Sequence, residues 1–118
     1  MKRYIAAAII AATAMIGSAQ ASNCMMMKAN LDVQMNMTFS SLDAFGAEVK
    51  MESRANKLLL KFHNEQIERH ARQALNTLNS IKNVKGMCGV KKENIEKTIN
   101  STANLIEKSV EYSNIINN

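Results

Sequence analysis

The chain is 118 residues long, 21% charged and 4% aromatic, with a formal net charge of +5 and neither proline nor tryptophan. So few aromatic rings leave little to stack on bases, which argues against a nucleic-acid partner, and the length supports one small domain with a modest core. The positive charge is unevenly placed, because two of the fifteen basic residues fall in the first three positions.

Those positions open a leader pattern. Lys2 and Arg3 supply a positive start, residues 4–16 form an apolar run rich in Ala and Ile, and Ala19-Gln20-Ala21 closes it with small residues around a spacer. A spanning helix needs about 20 apolar residues, and this run is nearer the length of a signal-peptide core. The expectation is a secretory signal peptide over residues 1–21, cleaved after Ala21, delivering a single helical domain of residues 22–118 to the periplasm. Lipoprotein processing at Cys24 wants a small residue directly before the cysteine, and Asn23 fits that poorly. Cleavage leaves thirteen basic residues against ten acidic, a net +3 that suits an acidic partner or an anionic membrane surface.

Cys24 and Cys88 both lie in the expected mature part, where an even pair of cysteines in a small exported protein points to a disulfide. The loop so closed, about 65 residues, corresponds to roughly 4 kcal/mol in the chain-entropy account of disulfide stabilisation.

Apolar residues recur at helical spacing along the rest of the chain. A first stripe takes Leu31, Met35, Thr38, Leu42, Phe45 and Val49; a second Leu60, Ile67, Ala71, Ala74, Leu78 and Ile81; a third Ile95, Ile99, Ala103, Ile106 and Val110. No segment sustains period-two alternation, so a sheet is disfavoured. Lys85-Gly86-Met87-Cys88-Gly89 marks the clearest helix end, a basic residue followed by glycine. The break between the first two helices is less visible, and the expected disulfide helps to place it. An antiparallel hairpin that brings Cys24 to Cys88 has to fold near residue 56, where residues 52–56 read Glu-Ser-Arg-Ala-Asn. The fold expected is all-α, an antiparallel three-helix bundle stapled by Cys24 and Cys88, with helices of about 26–31 residues. Against that turn stands the spacing of Lys50, Arg54, Lys57 and Lys61, which also fits a helix running unbroken from about residue 41 to 85.

The residues offer little chemistry. Cys24 with Met25, Met26, Met27, Met35 and Met37 suggests a Cu(I) or Ag(I) site, since soft sulfur ligands select those ions. It requires either a free Cys24 or methionines 25–27 converging with Met35 or Met37; the alternative use of methionine is core filling or apolar contact. His63 and His70 are seven positions apart, about 10.5 Å along a helix, too far to share a metal ion, and they read as partly exposed surface residues. Neither cysteine begins a haem-attachment run, no serine sits in a nucleophile elbow, and no glycine-rich phosphate loop occurs, so neither an enzyme nor a bound cofactor is expected.

A binding role remains. The sequence reads as a small periplasmic protein acting by protein–protein contact: an accessory part of an envelope, secretion or conjugation system, or an immunity, exclusion or chaperone-like factor. Its expected contacts are Lys50, Arg54, Lys57 and Lys61 with Met25 and Met26, and its partners another envelope protein and an anionic membrane surface. The alternative is a soluble Cu(I) or Ag(I) binder.

Overall fold

The structure, a computed structural model, describes residues 18–117, with side chains described from residue 23. Residues 1–17, which hold most of the expected leader, lie outside the described residues.

Three long helices make up the described chain: α1 (Ser18–Val49), α2 (Lys57–Asn83) and α3 (Lys92–Asn117). They run up, down and up in a rod of about 54 × 21 × 21 Å. None is long and apolar enough to cross a membrane. The turn between α1 and α2 occupies residues 50–56, so the helix does not continue through the Lys50–Lys61 spacing. Glu52 there adopts a left-handed conformation (φ 54°), which an α-helix does not tolerate. Asn56 then starts α2: its side-chain oxygen accepts from the backbone N–H groups of Leu58 (2.9 Å) and Leu59 (3.2 Å), satisfying donors that a helix start leaves open. Its own N–H donates to Glu48 Oε1 at 2.6 Å, tying the cap to the end of α1.

At the other pole α2 stops because four successive residues turn left-handed. Gly86, Met87, Cys88 and Gly89 have φ of 80°, 50°, 56° and 76°, with Gly89 N–H donating to Gly86 O at 2.9 Å. Glycine takes this conformation freely, whereas Met87 and Cys88 carry a cost of about 1–2 kcal/mol each. The Cys24–Cys88 disulfide forms here, across a Cα separation of 5.4 Å, with both cysteines buried.

The core sits mainly at this disulfide end. Cys24, Leu31, Met35 and Phe39 from α1 meet Ala74, Leu78 and Ile81 from α2, with Val90 and Ile95 closing the base. Helix α2 is central and packs closely on both neighbours, whereas the backbones of α1 and α3 hardly approach each other. Fully buried Ala71 and Ala74 allow that double contact, since a methyl lets both neighbours come near.

Three expectations need correction. On α3 the buried face is Ile95, Thr98, Thr102, Ile106 and Ser109, while Ala103 is exposed and Ile99 and Val110 only half-buried. The threonines can be buried because each satisfies its own hydroxyl on the helix: Thr98 donates to Asn94 O (2.9 Å) and Thr102 to Thr98 O (2.7 Å), leaving their methyls for packing. His70 is buried rather than on the surface, its Nδ1 3.4 Å from Gln73 Oε1, with His63 half-buried. Val49, the last member of the first stripe, is exposed because α1 ends there, past the core.

Candidate functional site

The residues expected as partner contacts fall into two groups at opposite ends of the rod. Met25 and Met26 are exposed on α1 beside the disulfide. Lys50, Arg54, Lys57 and Lys61 are exposed around the turn between α1 and α2. From Met26 to Val49 α1 rises by about 35 Å, so no single small partner face covers both groups.

The sulfur residues do not converge. Cys24 is bonded to Cys88, Met35 is in the core, and Met37, two positions on, points to the opposite side into solvent. Methionines 25–27 lie about 12 Å or more along the axis from Met35, and Met27 packs against the core. Among the described residues no group of three or more His, Cys, Asp or Glu side chains gathers where it could hold a metal ion.

On the outside of α1 the structure exposes a second stripe. Met26, Ala29, Val33, Met37, Ser40, Ala44 and Ala47 follow steps of 3, 4, 4, 3, 4 and 3, and all are solvent-exposed except half-buried Ala44. At 100° per residue this stripe lies opposite the buried one, and it carries no charge over about 32 Å. Met26 is 63% and Val33 53% exposed, large values for side chains that gain by leaving water. Sequence reading placed Met26 and Met37 but missed Val33 and the stripe, because the periodicity was followed on one side of α1 only. The signal was present: a helix apolar on both sides has two faces to cover.

The turn pole is likewise apolar. Val49, Met51, Leu58, Leu59, Phe62 and Ile115 are all exposed. The Phe45 and Tyr112 rings, centroids 5.0 Å apart and edge-on, reach each other between the ends of α1 and α3, which places Ile115 at the same end as the others. Consecutive leucines at 58, 59 and 60 gave the clue, since successive helical positions diverge by 100° and cannot all reach one core.

Between these surfaces, where α1 and α3 part, runs a groove enclosing about 240 Å³, with Leu42 and Phe45 on one wall, Leu105 and Tyr112 on the other, and Asn64 and Ile67 in its floor. Asn64 and Ser109 are paired beneath it. Asn64 Nδ2 donates to Ser109 O at 3.0 Å, and the Ser109 hydroxyl lies 2.9 Å from Asn64 Oδ1 and 3.1 Å from Asn64 O. These groups serve each other and clamp α2 to α3. Lys28 differs: its Nζ is buried with no hydrogen-bond partner, and desolvation pushes its pKa below the ordinary lysine value.

No protein-family model, curated protein or solved structure matches this chain.

Proposed function

We propose that this chain is an exported envelope protein that acts by binding another protein, with the outer stripe of α1 as the contact face. The observation that supports this reading is the exposed, uncharged stripe from Met26 to Ala47, spaced in threes and fours. That spacing matches the seam one helix offers another, with small residues at positions 29, 40, 44 and 47 permitting close approach and Met26, Val33 and Met37 supplying the apolar contact. The occupant that fits is an amphipathic helix of a second envelope protein, laid along α1. Export rests on the leader pattern of residues 1–21 and agrees with a disulfide, which persists in an oxidising compartment. Such a chain works as an accessory part of a larger assembly, holding a partner by surface complementarity.

The test is a photo-crosslinking residue at position 33, introduced in the native host, with the crosslinked partner identified by mass spectrometry. A single envelope protein should be captured, and Val33→Lys with Met37→Lys should reduce its co-purification at least tenfold while far-ultraviolet helicity and the disulfide are retained. Undiminished co-purification by that double variant removes the stripe from the contact face.

A further inference from the structure

We propose that the turn pole is a docking surface for anionic lipid bilayers, separate from the protein-binding stripe and independent of it. Six large apolar side chains, Val49, Met51, Leu58, Leu59, Phe62 and Ile115, are exposed at this one end of the rod, with Leu58 78% and Ile115 72% accessible. Lys50, Arg54, Lys57 and Lys61 are interleaved with them, and none of the four makes an ion pair with a described residue. Between positions 49 and 62 the only acid is Glu52; Glu65 on α2 and Glu111 beside Tyr112 on α3 are exposed acids set further back from this end, and the Glu48 carboxylate is engaged with the Asn56 N–H.

Apolar tips ringed by unpaired cations match a negatively charged membrane interface more closely than either component alone. The side chains enter the boundary between headgroups and acyl chains, while the basic ring stays at the level of the phosphates. A protein partner with an acidic rim would meet the charges, yet a pole that projects leucine and phenylalanine from a convex helix end suits a deformable phase rather than a preformed pocket. Helix α2 begins at this pole, so Leu58 and Phe62, four residues apart on its outer side, enter together. Docked in this way, the rod stands with its disulfide end directed away from the bilayer and the α1 stripe running up its side from the pole.

Vesicle flotation of the disulfide-intact protein, as processed and purified from its host, tests this directly. With equimolar phosphatidylcholine and phosphatidylglycerol at about 0.15 M salt the protein should float at least tenfold more tightly than with phosphatidylcholine alone, and molar salt should remove most of that preference. Reversing Lys50, Arg54, Lys57 and Lys61 to Glu should abolish the phosphatidylglycerol preference. Leu58→Ser with Phe62→Ser should weaken binding tenfold or more. Val33→Lys with Met37→Lys should leave flotation unchanged, so a failed stripe and a failed pole are told apart. The proposal is overturned if the unaltered protein floats with neither vesicle, or if the charge-reversed variant loses a protein partner while vesicle binding stays as it was.

Discussion

The two ends of this rod are built on opposite plans. At the disulfide end Leu31, Leu78, Ile81 and Ile95 are fully buried around the Cys24–Cys88 bridge, and the left-handed turn from Gly86 to Gly89 brings the chain back onto the core. At the turn end the interior is partly polar, with Asn64 paired to Ser109, the groove between α1 and α3 is open, and the large apolar side chains face solvent. Buried apolar packing is therefore concentrated where the cysteines are, and the densest cluster of exposed large apolar side chains lies where they are not. In a chain this small one end can hold the fold while the other keeps apolar side chains out of the core.

The contrast can be broken from the strong side first. Reducing the bridge, or replacing Cys88 by Ser, should cost about 4 kcal/mol through the loop of roughly 65 residues it closes. Thermal melting followed by circular dichroism should show a large fall in Tm, and an unchanged Tm would move the source of stability elsewhere. At the polar interior, Asn64→Leu should cost about 2 kcal/mol, because it removes two buried side-chain hydrogen bonds to Ser109 and leaves the Ser109 hydroxyl only the backbone carbonyl of residue 64. Chemical denaturation would measure it, and a neutral result would mean that the clamp between α2 and α3 carries nothing.

Lys28 gives a smaller effect of opposite sign. Burial without a partner lowers its pKa from the ordinary 10.5, so the unfolded chain binds more protons between the lowered value and 10.5. Stability then rises as pH increases across that window, and the full penalty is present below it. Lys28→Met should raise stability at neutral pH by about 1–2 kcal/mol and flatten the alkaline rise, which denaturation at a series of pH values can follow. Smallest of all, Leu58→Ser and Phe62→Ser should each change stability by no more than about 0.5 kcal/mol, since neither side chain reaches the core. A large loss on either would show that the turn pole belongs to the folded interior and would weaken its assignment as a docking surface.

Much of the architecture was legible in the residues. The absence of proline and the three- and four-step recurrence of apolar residues are local properties that declare helices, and the pairing of two cysteines required a turn near Asn56, where the cap of α2 is found. On α2 the stripe is buried from Ile67 through Ala71, Ala74 and Leu78 to Ile81, because a central helix has apolar neighbours on both sides, whereas its first member, Leu60, is only half-buried near the open end. On α3 the same reasoning placed Ile95 and Ile106 inside but turned the face toward Ile99 and Ala103 instead of Thr98 and Thr102. Hydropathy ranks Ile99 and Ala103 above Thr98 and Thr102, and it takes no account of a threonine hydroxyl that bonds back to its own helix and turns its methyl inward.

What the sequence determined by itself was therefore the class of structure, the number of helices and the covalent link between them, all set by short-range periodicity and the redox chemistry of two thiols. Only the tertiary structure decided which polar residues go inside, that α1 and α3 both pack on α2 while parting from each other, and which apolar residues are left over. The stripe from Met26 to Ala47 and the cluster around Leu58 count as exposed only once packing has allotted every place in the core. A helix's surplus apolar face is defined by the neighbours it does not have, and no local pattern records those.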